Sequence, residues 1–401
     1  MNNKILLVFF IFLVGLSSCK KDNISAVQTV KIGGLFSITG NWNTLGKASQ
    51  AAMNIALEDV NDYLESRGAG YIFSTVNFDT KLDTTEAIAS IKRGYENSGI
   101  KIFIGPQSSA ELNAIKGYAS NNKILLISQG STASSLAIPG DGIFRYCPGD
   151  GPEGAAISRS MYNSGKRVVI TMARNDAGNI GLQMSVNNSF YQLGGETSYI
   201  YPYFINTTDY SAMLSDLKSR ILQYTASVGA DKIAVYLASF DECVEIFNQA
   251  AADPVFSSVK WYGGDGVVQS AALLANSTAR DFAIATGFYA PNFGLPLQPH
   301  PDLETIAAAI QSRSGVEADA YALSVYDAMW VLALTIADYP EVLTDYSKFK
   351  TEFTQQSERY FGITGPTILN ENGDRAIGAF DYWGIVNDAG TYKWAVVGKS
   401  Q

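Results

Sequence analysis

The sequence predicts an α/β protein made of two doubly wound, parallel-sheet lobes, and three observations predict it. With 401 residues, 47% hydrophobic and 17% charged, and no biased tract, the chain is long enough for two cores rather than one. From Val27 onward, β-branched runs alternate with Gly or Ser turns and helical stretches, the pattern of βα units feeding a parallel sheet. That series restarts after Gly149.

In the first series, residues 30–36 read as a strand and 46–63 as a helix with Ala51, Ile55, Ala56 and Val60 on one side. A strand follows over 71–78, a helix over 84–98, a strand over 100–104, a helix over 109–119 and a strand over 124–128. In the second, helices over 153–163, 181–193, 210–225 and 241–252 alternate with strands over 167–172, 198–203, 232–237 and 259–263. Beyond Asp265 the pattern gives a helix near 271–274, an extended stretch over 283–289 and helices over 302–312 and 319–338. Strands over 376–386 and 392–397 flank the Asp388-Ala389-Gly390 turn. Doubly wound halves place ligands at the carboxyl ends of their strands, so function is expected in the loops there.

At the N-terminus, Lys4 precedes an apolar run from Ile5 to Leu16, then Ser17 and Ser18 before Cys19. This is a secretory signal layout, too short to span a bilayer. Leu16-Ser17-Ser18-Cys19 resembles the lipobox of bacterial lipoproteins, whose cysteine is acylated as the signal is cleaved. The resemblance implies a signal peptide over 1–18, a lipidated Cys19, a polar tether over 19–26 and a place in the periplasm or cell envelope, anchored to a membrane. An ordinary signal peptide with an incidental cysteine is the alternative.

Cys147 and Cys243 are too few for a disulfide framework and read as buried small apolar side chains. Net charge is −9 with scattered basic residues, which argues against a nucleic-acid partner.

Several motifs carry a further resemblance: Ile32-Gly33-Gly34-Leu35-Phe36-Ser37-Ile38-Thr39-Gly40 with Gly46, Ile104-Gly105-Pro106 with Ser108 and Ser109, and Ile127-Ser128 with Thr132. Others are Trp261-Tyr262-Gly263-Gly264-Asp265-Gly266, Tyr326-Asp327-Ala328, and Gly365-Pro366 with Asn370, Glu371, Asn372, Gly373 and Asp374. In this order they resemble the type I periplasmic binding proteins, closest to the leucine/isoleucine/valine-binding group. The resemblance implies a three-crossing hinge, near Pro148, Phe288 and Gly378. Lobe 1 is then residues 27–147 plus 289–377, and lobe 2 residues 148–288 plus 378–401. It also implies an amino acid or similar small-molecule ligand in the cleft, closure around it, and a membrane permease of an ABC transporter as partner, with no cofactor and a monomeric state. A binding protein for an aromatic acid, an amide or a nucleobase that feeds a sensor is the alternative. No transmembrane helix follows the domain, so a stand-alone binder is expected rather than a receptor ectodomain.

A carboxylate taken into a closed cleft needs charge-assisted hydrogen bonds in return, and hydroxyls and amides at a helix N-terminus supply them. Ser109 starts a helix and Thr132 follows a strand, so both fit, although read alone each is the commoner helix cap. An ammonium needs an anion, and Asp265 lies in a glycine-rich loop at a strand's end; read alone it is a turn aspartate. The resemblance makes Ser109, Thr132 and Asp265 ligand contacts, with Gly130 offering a carbonyl and Phe240 covering the ligand. It assigns Trp42, Leu45, Gln107 and Tyr321 to the ligand side chain. Two departures stand out: Asp265 where the group tends to carry the longer glutamate, and Phe240 where it often carries tyrosine.

Gly149-Asp150-Gly151-Pro152-Glu153-Gly154 also matches G-x-G-x-x-G, which would suggest a dinucleotide enzyme. Asp150 and Glu153 would sit where the pyrophosphate rests, and Pro152 suits a first helical turn, so a helix start near a hinge explains the glycines. The single histidine, His300, lies between Pro299 and Pro301, and no G-x-S-x-G elbow occurs, which removes a triad and a histidine-rich metal site. Asp and Glu are numerous, but nothing in the sequence pairs two of them, and no enzymatic activity is expected.

Overall fold

The computed structural model describes residues 27–400. The signal segment, the lipobox-like Leu16-Ser17-Ser18-Cys19 and the tether over 19–26 therefore lie outside the described residues.

The chain opens with β1 (Gln28–Phe36), α1 (Asn43–Ser66), β2 (Tyr71–Asp79), α2 (Thr84–Ser98), β3 (Ile102–Ile104), α3 (Ser109–Asn121), β4 (Leu125–Ser128) and β5 (Ile143–Arg145). It continues with α4 (Asp150–Asn163), β6 (Val168–Ala173), α5 (Ala177–Gln192), β7 (Glu196–Tyr199), α6 (Ser211–Val228), β8 (Ile233–Ala238), α7 (Cys243–Ala250), α8 (Pro254–Ser257) and β9 (Lys260–Gly263). Then come α9 (Ala271–Ala275), α10 (Ser277–Ala285), β10 (Tyr289–Gly294), α11 (Leu303–Ser314), α12 (Ala320–Asp338) and α13 (Tyr346–Arg359). A short hairpin, β11 (Phe361–Gly362) and β12 (Gly365–Pro366), precedes β13 (Ala379–Asp388) and β14 (Thr391–Lys399).

Two sheets result. The first has the order β2-β1-β3-β4-β5 and is parallel throughout. The second has the order β14-β13-β10-β9-β8-β6-β7; it is parallel from β7 to β10 and takes the β13–β14 hairpin antiparallel at its edge. Each parallel portion follows the doubly wound order in which the second strand lies outside the first, so the winding reverses between β1 and β3 in one sheet and between β6 and β8 in the other. Both switch points open a crevice at the strands' carboxyl ends.

Both faces of each sheet are covered, as parallel sheets require. In the first, Leu35, Ile91, Phe103 and Leu112 pack on one face, while Ile32, Met53, Ile104 and much of α12 pack on the other. Helix α12 is long and apolar enough to cross a membrane, yet 83% of its most apolar window is buried; it packs on α1 as a core helix. In the second sheet, Val235, Phe247, Trp261 and Phe282 fill one face and Ile157, Val169, Phe190 and Tyr262 the other. Cys147 and Cys243 are buried, unpaired and in different cores. Burial pushes both thiols up from their ordinary range.

Two expectations need correction. The stretch over 283–289, read as extended, is the end of helix α10 and a turn; Asn276 caps α10 by accepting from the Ala279 amide, and Gly287, at φ 61°, ends the turn that follows it. The extended run begins at Tyr289 and pairs with β9 and β13. Strand β10 therefore belongs to the second sheet, and the second crossing falls after Gly294 rather than near Phe288.

Close approach of backbones explains two glycines in the loops that follow the first sheet. A Cβ on Gly46 would lie 1.8 Å from the Ser37 carbonyl oxygen, so only glycine lets α1 rest on the loop after β1. A Cβ on Gly130 would lie 2.8 Å from the Gln107 carbonyl oxygen and 3.3 Å from Trp42 Cη2, so this glycine lets the loop after β4 approach the loop after β3.

Candidate functional site

The two switch points face each other, and the loops that leave them meet. On one side are the loops after β1, β3 and β4; on the other, those after β6, β8 and β9. The Asn41 side-chain amide donates to Glu242 Oε2 at 2.9 Å and its carbonyl accepts from the Asp241 amide at 2.9 Å. The Trp42 amide donates to Asp241 Oδ2 at 2.9 Å. Across the interior, the Tyr321 hydroxyl of α12 donates to Asp265 Oδ2 at 2.8 Å. These bonds join the two lobes in a closed arrangement.

Between them lies a narrow gap that this closed arrangement reduces to about 10 Å³, room for about one water molecule, so a ligand needs the lobes to part. It brings together Trp42, Ser109, Gly130 and Thr132 from the first lobe with Phe240 and Asp265 from the second. Leu45, Gln107 and Tyr321 do not line it; they stand behind the lining. Gln107 is consumed as a brace, since its Oε1 accepts from the Ser37 amide at 3.0 Å and its Nε2 donates to the Trp42 carbonyl at 3.0 Å. Asp176, Gly178, Asn179 and Leu182 complete the wall from the loop after β6 and the start of α5, and Ser108 adds to the first lobe. Asp176 could have been found by taking the loop after β6, at the carboxyl end of its strand, as a site loop.

The first-lobe wall is a helix N-terminus with its caps already in place. Ser108 accepts from the Glu111 amide at 3.3 Å and Glu111 Oε2 accepts from the Ser108 amide at 3.1 Å, a capping box. That leaves the amides of Ser109 and Ala110 without a protein acceptor among the described residues. Ser109 Oγ accepts from Ser131 Oγ at 3.0 Å and from the Ala133 amide at 3.1 Å. Both lone pairs are thereby used, and the hydroxyl keeps only its proton to give. A helix N-terminus with free amides and a donating hydroxyl suits an anion.

The aromatic wall is assembled across the cleft. Trp42 sits in the left-handed region at φ 53°, which turns its ring inward from the start of α1. Its centroid is 4.9 Å from that of Phe240, tilted by 47°, and 6.4 Å from Tyr321, edge-on. The Arg174 guanidinium lies over Phe240 at 4.3 Å. That cation is already matched: Nε donates to Asp176 Oδ2, and Nη1 lies 3.6 Å from Glu242 Oε2.

The second-lobe wall is acidic and buried. Asp265 is buried, and its amide donates to Glu153 Oε1 at 3.2 Å. Glu153 and Asp150, both fully buried in the first turn of α4, each keep one carboxyl oxygen without a partner. Burial raises the Asp265 carboxyl to about 6, against the Tyr321 hydrogen bond that lowers it. Burial likewise raises Asp150 to about 7, and raises Glu153 well above the ordinary carboxylate range with the help of its acidic neighbours. Arg145, whose charge reaches Asp150, is itself held by Asp374. A cationic group is what this wall lacks.

Asp150 Oδ2 accepts from the Ser134 amide at 3.1 Å, so carboxylates occupy the position a pyrophosphate would need above this glycine motif. His300 accepts from the Asp302 amide at 3.2 Å within its loop, away from the cleft. Among the described residues no group of three or more His, Cys, Asp or Glu side chains is arranged to hold a metal ion.

Comparison with known proteins gives three findings. A family model described as periplasmic binding protein matches residues 29–381. An uncharacterised protein of Methanocaldococcus jannaschii is 28% identical over 400 residues, spanning 95% of this chain and 90% of that one. Among solved structures, a leucine-binding protein of Thermotoga maritima superposes with a TM-score of 0.73 at 22% identity, covering 91% of this chain and 97% of that chain. A branched-chain amino acid transporter substrate-binding protein of Streptococcus pneumoniae in complex with isoleucine gives 0.72 at 20% identity, over 92% and 99%. An ABC-transporter solute-binding protein of R. palustris in complex with benzoate gives 0.70 at 16% identity, over 93% and 96%. At these identities the likeness to solved structures is one of fold.

Proposed function

The chain belongs to the periplasmic binding protein family, and from that premise we propose that it captures an α-amino acid, or a small solute with the same pair of charged groups, between its two lobes. The captured solute is handed to the membrane permease of an ABC transporter. The lobes of this proposal follow the division given by the sequence, with the second crossing moved past Gly294.

One observation carries the choice of ligand: the two walls of the cleft want opposite charges. The free amides of α3 and the Ser109 hydroxyl face a carboxylate. Across the cavity, Asp265, backed by Glu153 and Asp150, faces an ammonium. A zwitterion satisfies both at once. An aromatic acid such as benzoate, bound by one of the fold neighbours, would satisfy α3 and pack on Trp42 and Phe240. It would also leave Asp265 desolvated with no cation, which costs several kcal/mol, of the order measured when one member of a buried pair is removed.

Thermal-shift screening of the soluble fragment against the standard amino acids, benzoate, 4-hydroxybenzoate, amides and nucleobases tests this. One or a few amino acids are expected to raise the melting temperature, a ligand at 100 times its Kd adding about 2.7 kcal/mol. A rise with benzoate alone, and none with any amino acid, would replace this reading with an aromatic-acid carrier.

The same proposal places the protein at a membrane through a lipid on Cys19. The full chain expressed in a bacterium is expected to partition into the detergent phase, and Cys19→Ser to move it to the aqueous phase. Aqueous partitioning of the unaltered chain would remove the anchor from the proposal.

A further inference from the structure

Helix α4 brings a second carboxyl against Asp265. Glu153 Oε1 is engaged by the Asp265 amide at 3.2 Å, while Oε2, equally buried, has no partner. A second orphan lies among the same acids: the Tyr236 hydroxyl of β8 is fully buried and unpartnered, 3.1 Å from where a Cβ on Gly264 would stand, next to Asp265. Asp150, on the same turn as Glu153, adds a third unpartnered oxygen.

The surroundings offer no cation that is not already paired. From α12 come Tyr321, whose hydroxyl is given to Asp265, and Asp319, which accepts from the Ala322 amide and the Asn292 side chain. From α5 the neighbours of this turn are Gly181, Leu182 and Ser185, none of which titrates. Arg145, at the end of β5, is held by Asp374 and by the carbonyls of Ser131 and Ala133. Glu153 thus shares a buried pocket with two other acids, and all three cannot be charged there without a counter-ion.

Resting on the reading that the cleft takes an ammonium-bearing solute, we propose that Glu153 holds a proton while the cleft is empty and releases it to solvent when the ligand's ammonium reaches Asp265, so that capture is proton-linked. No bond forms or breaks other than that of the proton. The direction of the linkage follows: an ammonium favours the charged carboxylate, protons leave on binding, and affinity rises with pH until the empty site is already deprotonated. Burial, joined by the charges of Asp265 and Asp150, raises Glu153 well above its ordinary range, which agrees in direction. Glu153 is a positioning residue here; it acts through Asp265.

Calorimetry with L-alanine and L-leucine at pH 6, in buffers of different ionisation enthalpy, reads the protons directly. The wild type is expected to release about half to one proton per ligand bound, and Glu153→Gln, which keeps an oxygen for the Asp265 amide, less than half of that. No release by the wild type, or equal release by both proteins, would overturn the proposal. A second measurement does not need a ligand. The melting temperature of Glu153→Gln relative to wild type is expected to climb from pH 5 to pH 8, because only in the wild type does unfolding free a buried, protonated acid to ionise in water. A difference that stays flat over that range overturns the proposal as well. If neither amino acid gives heat, the ligand reading is what fails, and the ligand-free comparison still decides the role of Glu153.

Discussion

Asp265→Ala is expected to abolish the ligand-induced rise in melting temperature while leaving the ligand-free protein folded. The carboxylate is the only charged group of the second-lobe wall that lines the cavity among the described residues without a cation beside it, since Asp176 is bound to Arg174. Truncating it removes the partner of a desolvated ammonium and leaves that charge uncompensated, so no ligand concentration near the wild-type Kd would stabilise the variant. The ligand-free protein should not suffer in the same way. Asp265 is a buried acid with a folded-state value raised to about 6, so its contribution to stability is present at low pH and is lost as pH rises from about 4 through about 6. Removing it should therefore cost little at pH 8, where the acid is a liability, and more at pH 4, where the neutral acid keeps its Tyr321 bond at no electrostatic cost. Asp265→Asn separates charge from shape. Its carbonyl can still accept from Tyr321, yet the charge-assisted bond is gone, and affinity should fall by roughly 100-fold, a loss of up to about 3 kcal/mol. Asparagine binding as tightly as aspartate would show that no ammonium sits there.

Much of this arrangement was legible before any coordinates. The strands of both lobes announce themselves because a doubly wound sheet buries both faces, so runs such as Ile233–Ala238 are continuously apolar and bounded by turn residues. Helices with a cap and one apolar face, such as α2 behind Asp83, are equally plain, and here the expected and observed bounds coincide. Less plain are helices whose buried face is small. Helix α13 buries only Phe349, Phe353 and Ser357, and no element was read between 338 and 376. The α10 region misled for another reason: Ala283 and Phe282 belong to a helical face, but Ile284 and Ala285 between them and Gly287 make the segment look like the start of a strand.

Within the site, the residues legible from the sequence were those in loops that also carried motif residues. Ser109 and Asp265 could be placed because a helix start and a glycine-rich loop announce what a side chain there can reach. Leu45, Gln107 and Tyr321, which the resemblance assigns to the ligand side chain, pack behind residues that line the gap; lining and backing differ by one layer of packing, which linear spacing does not resolve. Glu153 was noticed only as an obstacle to a pyrophosphate. Its pairing with Asp265 spans 112 residues and two elements, a relation that exists only once β9 and α4 are packed.

Removal of Asp374 is the substitution expected to cost the most stability. Arg145 is almost fully buried, and its Nε and Nη2 donate to the two Asp374 oxygens in a bidentate pair. Its remaining nitrogen donates to the Ala133 carbonyl at 2.6 Å and to the Ser131 carbonyl at 3.3 Å, the two residues that flank Thr132. Backbone bonds reinforce the joint, with the Arg145 amide on the Gly373 carbonyl at 2.9 Å and the Arg375 amide on the Arg145 carbonyl at 2.9 Å. The guanidinium is thus a clamp between the segment around Asp374 and the loop that carries Thr132 in the lining of the gap. Asp374→Ala leaves the cation buried without its anion, at a cost of about 3–5 kcal/mol in denaturant unfolding. The freed guanidinium would also turn toward water and pull on the Ser131 and Ala133 carbonyls, so ligand affinity should fall although Asp374 does not line the cavity. A double variant with Arg145→Met should be less destabilised than the two single losses added together, because neither charge is then left alone. Additive losses, or an Asp374→Ala variant within about 1 kcal/mol of wild type, would mean that the pair is solvated in solution and does not hold the Thr132 loop.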